Sequence, residues 1–397
     1  MKLGIFLPEI DPHHGGAYTF VETVVSGLLA AHAQDTVTIF HYGSAGDLAS
    51  RFPVATHALA STTVGRIAKK AWFQHVAARL QRPLHLAANV FGKSLPYPAG
   101  SPLDHAARAC GIDLMLFPTP MSEPVDVPYV VTVWDLEHRL HPYFPELGAQ
   151  GEWQARDHYY ADALRRATYV ITGTTVGRDE IARFYTVDPT RIRILPHPTP
   201  AFALDAPTSP LSVDVPRPYV FYPAQFWSHK NHVGLLAAIA ELARRNVPMH
   251  CAIVGSDKGN RAHVQRRAEE LGITDRIHFL GFVERADLVA LYRNAYALAY
   301  ASLCGPENLP PLEAMALGCP VINSDIPGAR EQLGDAALLV DTLDAKAFAD
   351  AIERIPTVRS ELVAHGHTRA TRYTQTEFGR DLQLLIDDFR RRRNLWT

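Results

Sequence analysis

The chain has 397 residues, 47% of them hydrophobic, and a formal net charge of −2. This is apolar matter for two packed domains, and too little positive charge for a dedicated nucleic-acid binder. Cys110, Cys251, Cys304 and Cys319 are far apart and lack zinc-like spacing, so they read as reduced thiols of a cytoplasmic protein. The first ten residues hold one lysine and an apolar run broken by Pro8, a first strand rather than a signal peptide, and no run approaches a membrane span.

Leu3 to Leu7 reads as a buried strand. A turn through His13, His14, Gly15 and Gly16 follows, then a helix from Tyr18 to Ala33 with Val21, Val24, Val25, Leu28 and Leu29 on one face. Thr36 to Tyr42 completes a βαβ unit, in which the glycine pair either lets backbone approach a ligand or makes a simple tight turn. From Leu48 to Leu103 there is no acidic residue, while Arg51, Arg66, Lys69, Lys70, Arg79, Arg82 and Lys93 are basic. With Trp72, Phe73, Val76 and Leu80 among them, residues 51–93 either lie on an anionic membrane surface, meet a phosphorylated acceptor, or form a solvated face over an ordinary apolar stripe.

Asp113 to Phe117 and Tyr129 to Trp134 are further strands, the second leading into Asp135, Leu136, His138, Arg139 and His141. The His138/His141 pair has no carboxylate or cysteine at metal-ligand spacing, so no metal is expected. Helix Glu152 to Ala167, strand Tyr169 to Thr172, helix Arg178 to Tyr185 and strand Ile192 to Leu195 follow. Prolines at 196, 198, 200, 207, 210, 216 and 218 then permit neither helix nor central strand and mark a linker.

The second half alternates in the same way. Strand Tyr219 to Pro223 leads to Gln225 and Lys230, ahead of a helix from Val233 to Arg245. Strand Cys251 to Val254 ends at Gly255, and Ile277 to Leu280 runs into Phe282 and Val283. The helices Arg261 to Leu271 and Glu284 to Asn294 lie between and after them. Ala295 to Ala299 is a buried strand, followed by a turn with Gly305, Pro306 and Asn308 and a helix bearing Leu312, Glu313, Met315 and Leu317 up to Gly318. A turn at a helix N-terminus between two strands is an anion site, and Glu313 suits vicinal hydroxyls beside it, which together suggest a nucleotide. Strand Ala337 to Val340, helix Ala345 to Ile355 and an amphipathic helix from Glu377 to Arg393 end the chain.

The run LPPLEAMALGCPVINSDIPG, residues 309–328, resembles the donor-binding segment of retaining GT-B glycosyltransferases of family 4, and Glu313 falls on the second glutamate of their E-x7-E pattern. Gly305 occupies the first, with Glu307 two residues later as a candidate replacement. The resemblance implies an α/β fold of two Rossmann-like domains facing a cleft: residues 1–205 on the acceptor side, 206–375 binding the nucleotide sugar, and 376–397 crossing back. It implies that Gly15 and Gly16 face the donor phosphates, that Lys230 holds the diphosphate with Gln225 where an arginine is usual, and that Gly255, Phe282 and Val283 border the base. Amides near Asn308 and Leu309 would share the phosphate charge. Trp134 takes the place of the family's histidine before Asp135 and Leu136, leaving Trp134, His138 and Arg139 on the acceptor side and Asp135, His138 and Glu307 as catalytic contacts around the sugar. The implied reaction moves a hexose, mannose-like or related, from a GDP- or UDP-linked donor to a glycan or lipid-linked acceptor, without other cofactor or metal, at the inner face of the membrane. Alternatives are a non-catalytic sugar-binding or partner subunit and an epimerase or phosphorylase of the same fold.

Overall fold

The computed structural model describes residues 1–10, 12, 15–31, 35–59, 101–207, 210 and 212–395. The basic stretch beyond Leu59, with Trp72 and its neighbours, therefore lies outside the described residues, and so do His13 and His14.

Strands with near-continuous apolar runs and helices between them give two parallel sheets whose central strands are buried on both faces. The first holds β1 (Lys2–Leu7), β2 (Thr36–His41), β3 (Ala55–Ala58), β4 (Leu114–Phe117), β5 (Tyr129–Thr132), β6 (Tyr169–Thr172) and β7 (Ile192–Ile194), in the order β3-β2-β1-β4-β5-β6-β7. The second holds β8 (Tyr219–Pro223), β9 (His250–Val254), β10 (Ile277–Gly281), β11 (Ala297–Tyr300), β12 (Val321–Ser324) and β13 (Ala337–Val340), in the order β10-β9-β8-β11-β12-β13. Strand order reverses between β1 and β4 and between β8 and β11. Crevices open at the carboxyl ends of the strands at such switch points, and ligands bind there.

The final helix, Gln375–Arg393, starts with a capping box of Thr374 and Glu377 and lies on the first helix, Gly16–Ala31. The two helices touch backbone to backbone. A Cβ at Gly27 would stand 2.3 Å from the Gln375 carbonyl oxygen, and one at Gly379 would stand 2.2 Å from that of Gly27. Phe378, Leu382, Leu385, Ile386 and Phe389 thereby enter the core of the first sheet. The terminal arginines form no free basic patch: Arg390 pairs with Asp35, Arg391 and Arg392 with Asp388, and Arg393 with Asp113.

Several elements depart from the sequence reading. A short helix, Ala201–Leu204, forms inside the proline-rich linker, because Pro200 stands at its N-cap, where a missing N–H costs the helix no bond. β3 and the helix Pro102–Cys110 were not expected, because β3 is four exposed residues long and the helix buries little apolar side chain beyond Leu103 and two alanines. The helix begun at Ala345 does not stop before Pro356 but runs on to Arg372. A proline costs an internal helix about 3 kcal/mol. Here Phe348, Ile352, Ile355 and Leu362 are buried along one side, and that burial offsets the cost.

Candidate functional site

The site is built at the cleft between the sheets. Lys230 ends a short 3-10 turn, Ser228–Lys230, after β8, and its Nζ reaches Tyr300 Oη and Ser302 Oγ at 3.2 Å and Asn308 Oδ1 at 3.4 Å. All three are neutral oxygens, and among the described residues no carboxylate pairs with this ammonium. Tyr300 Oη also donates to Asn308 Oδ1 at 2.9 Å, and Asn308 Nδ2 donates to the Gly305 carbonyl at 2.9 Å. Lys230 thus points into a cavity of about 200 Å³ whose wall includes Trp134, Asp135, Glu137, Glu307 and Asn308.

Gly305 has φ +96°, a backbone region that L side chains rarely enter, and a Cβ there would lie 3.2 Å from the Asn308 amide group. A glutamate at 305 is therefore disfavoured by the local backbone. The Gly305 N–H donates instead to Glu137 Oε1 from the opposite domain at 2.7 Å. Glu307 also crosses the cleft: its Oε1 accepts from the His197 N–H at 3.0 Å. Burial pushes the Glu307 carboxyl up to about 8, against the pull of that N–H. The same burial holds His197 down at about 4, so the two side chains, 3.8 Å apart, meet as neutral groups and not as an ion pair.

Two more carboxylates accept across the cleft. Glu146 Oε1 takes the His229 N–H at 2.9 Å, and Glu331 takes the Thr175 N–H at 2.9 and 3.0 Å and its hydroxyl at 2.6 Å. Thr175 opens the helix Thr175–Tyr185, so Glu331 also meets the positive end of a helix dipole. These contacts place the domains in a closed arrangement. A pH effect follows with a definite sign. Between the ordinary carboxyl range and about 8, the folded state holds a Glu307 proton that the unfolded chain has released, so stability falls as pH rises through that window. Glu307→Gln removes this titration and is expected to flatten the fall in unfolding temperature from about pH 5 to about pH 8. Thermal unfolding across that range checks it, and equal slopes in both proteins would sink the assignment.

The other expected residues fall into three groups. Trp134 and Asp135 line the cavity. The Trp134 indole N–H is buried without a partner among the described residues, and its ring is edge-on to Phe20 at 5.4 Å. Although burial opposes it, Arg156 at 2.8 Å and the Glu137 N–H hold the Asp135 carboxyl below its ordinary range. Gly16 and Leu309 meet across the cleft: a Cβ at Gly16 would touch Leu309 Cδ1 at 3.9 Å, while Gly15 has φ +60° and open space around it.

A second group belongs to the outer part of the second domain. Gln225 accepts from Trp227 Nε1 at 3.1 Å. Gly255 is required by packing, since a Cβ there would stand 2.2 Å from the Ala224 carbonyl oxygen. Phe282 is exposed and Val283 packs on the core. Glu313 is 6% exposed, outside the cavity wall, and accepts from Tyr292 Oη at 2.7 Å. Burial pushes it up to about 7.

The third group is corrected. His138, expected on sugar and acceptor, is fully buried, lies 3.0 Å from Tyr185 Oη and stacks on Tyr160; burial holds it down at about 4. The one-residue step from Glu137 turns it to the far side of its helical turn. Arg139 pairs with Asp157 and lines a separate hollow of about 420 Å³ with Arg165, Phe184 and Tyr185, away from Lys230. The helix from Leu309 also supplies fewer amides than expected. The Asn308 N–H donates to Gln332 Oε1 at 3.0 Å, and Pro310 and Pro311 have none, which leaves the Leu309 amide.

Sequence reasoning missed Glu137, His197, Arg156 and Gly173. Glu137 carried one readable signal, an i, i+4 spacing to His141. His141 has both a carboxylate and a cysteine beside it, contrary to expectation: Nδ1 lies 2.5 Å from Glu137 Oε2 and 3.7 Å from Cys304 Sγ.

Residues 210–365 match the family of glycosyl transferases group 1. The chain is 29% identical over 193 residues to the O-antigen chain mannosyltransferase RfbU of Salmonella typhimurium, covering 49% of this chain and 52% of that protein. It is 29% identical over 248 residues to a D-inositol 3-phosphate glycosyltransferase of Saccharomonospora viridis, covering 57% and 56%. The chain thus spans about half the length of these relatives. Among solved structures, Anabaena HepE in complex with UDP and glucose superposes with TM-score 0.69 at 15% identity, over 98% of this chain and 99% of that one. A glycosyltransferase from Rickettsia africae superposes with TM-score 0.67 at 15% identity, over 98% of both chains. The fold is GT-B. Among the described residues, no helix is long and apolar enough to cross a membrane.

Proposed function

We propose that this protein transfers a hexosyl group, mannose-like or related, from a GDP- or UDP-linked donor to a hydroxyl of a glycan or lipid-linked acceptor, with retention at the anomeric carbon, in envelope polysaccharide assembly. The observation that carries this reading is the Lys230 ammonium, turned into the cleft onto neutral oxygens only, among the described residues. A half-buried cation that no carboxylate pairs with among the described residues suits a ligand that brings negative charge, and a nucleoside diphosphate brings it. The group 1 match over 210–365, the O-antigen mannosyltransferase relative and the UDP complex of HepE support the same class.

As the bond from anomeric carbon to phosphate oxygen breaks, Lys230 and the Leu309 amide stabilise the charge that gathers on the departing diphosphate. The acceptor hydroxyl forms the new bond on the same face and passes its proton to the leaving phosphate oxygen, so no separate base is required. Asp135 stands at the acidic side of the cavity, where a sugar hydroxyl finds an acceptor, and Trp134 offers an N–H without a partner among the described residues. The closed cleft keeps water from the reacting carbon.

The test is the thermal shift of the protein with UDP, GDP, ADP and dTDP in the presence of chelator. A ligand at about 100 times its dissociation constant adds about 2.7 kcal/mol. One nucleotide is expected to stabilise the wild type and not Lys230→Ala. Absence of any shift, or an equal shift in the variant, would remove the donor site from Lys230.

A further inference from the structure

We infer that Cys304 Sγ, His141 Nδ1 and Glu137 Oε2 form a three-ligand site for a zinc-type divalent cation that ties the two domains together across the cleft. The three donor atoms lie within 4.8 Å of one another. Glu137 and His141 come from one turn of the first domain, and Cys304 comes from the loop after β11 in the second. Cys304 is 3% and Glu137 7% exposed. Two ligands on one tetrahedral zinc, with Zn–S about 2.3 Å and Zn–N about 2.0 Å, stand about 3.6 Å apart. Cys304 Sγ and His141 Nδ1 are already 3.7 Å apart.

Glu137 Oε2, 2.5 Å from His141 Nδ1, must move outward by about 0.8 Å to reach the separation of two tetrahedral ligands, within the range of one side-chain rotation. Its other oxygen is anchored by the Gly305 N–H at 2.7 Å, an outer hydrogen bond of the sort that orients a ligating carboxylate. The His141 ring is held by Tyr143, edge-on at 5.7 Å. One thiolate, one imidazole and one carboxylate match zinc, and not calcium or magnesium, which take oxygen donors. Binding releases the Cys304 thiol proton and takes the His141 tautomer whose Nδ1 carries no hydrogen. Three protein ligands leave one position of a tetrahedral ion for a solvent or substrate oxygen from the cavity, whose wall Glu137 and Cys304 share. The proposal does not depend on the donor reading, in which the diphosphate rests on Lys230.

The full chain, stripped with chelator and desalted, is titrated with zinc chloride, and bound metal is counted by atomic absorption; a parallel sample is loaded with cobalt(II). We expect one equivalent of zinc on the wild type and a cobalt–thiolate charge-transfer band. Cys304→Ser and His141→Ala, each checked for folding by circular dichroism, are expected to lose at least about tenfold in zinc affinity, and the band disappears with Cys304→Ser. No zinc on the folded wild type, or zinc and cobalt spectra unchanged in both variants, would overturn the site. Should Cys304→Ser fail to fold, the wild-type cobalt band and His141→Ala decide alone. A nucleotide shift that persists in chelator separates failure of this site from failure of the donor site.

Discussion

Replacing Lys230 by alanine is expected to lower the transfer rate by about 10- to 100-fold or more while leaving the fold intact. A charged hydrogen bond contributes about 1.5–3 kcal/mol, and about 1.4 kcal/mol is tenfold in rate. The Leu309 amide is the one first-turn donor left beside it, so little else carries the diphosphate charge. Folding tolerates the change because the neighbouring oxygens have other partners: Tyr300 Oη donates to Asn308 Oδ1, and Ser302 Oγ to the Cys304 carbonyl. The measurement is the initial rate with the responding donor at saturation, beside the unfolding temperature of both proteins. Lys230→Met, which keeps the stem and removes the charge, should match alanine. A near-normal rate in either variant would strip Lys230 of its role.

The second large effect is expected at Gly173, between β6 and the helix Thr175–Tyr185. A Cβ there would stand 1.2 Å from Glu307 Oε2 of the opposite domain, so Gly173→Ala and the closed position of Glu307 exclude each other. Glu307 must then leave the His197 N–H. Losing a buried hydrogen bond costs about 1–3 kcal/mol, and overpacking costs a similar amount. If catalysis requires the closed cleft, kcat/KM falls by about 10- to 100-fold, while each domain keeps its own core. The obstructing contact is a single side chain, so adding Glu307→Ala should recover part of the loss. Small-angle scattering should show the single variant more open and the double variant closed. A Gly173→Ala enzyme with normal kinetics and normal scattering would show that this contact is not part of the working state.

Much of the fold was legible because it rests on local signals. Tyr169–Thr172, Tyr219–Pro223 and Ala337–Val340 are strands with the bounds read from their apolar runs, and the glycine and proline punctuation between them marks the turns. The helix through Pro356 was misread because a buried stripe outweighs a local breaker, and only packing decides that contest. Within the site, Lys230 was readable from its place ahead of a helix, and the gathering of Trp134, Asp135, Glu307 and Asn308 around it could be expected only through family likeness.

What the sequence by itself determined is therefore periodic: parallel strands, their covering helices, the proline linker and a turn through Gly305, Pro306 and Asn308, whose need for glycine at 305 only the backbone conformation shows. Which side chains face one another across the cleft was decided by the tertiary structure alone. Glu137 meets Gly305, Glu307 meets Gly173 and His197, and Glu331 meets Thr175, over separations of more than 100 residues. Local periodicity places a side chain on one face of its own element, as it set Glu137 and His138 on different sides of one turn. It does not encode the docking of two separate cores, which depends on the fit of surfaces formed only after each has folded.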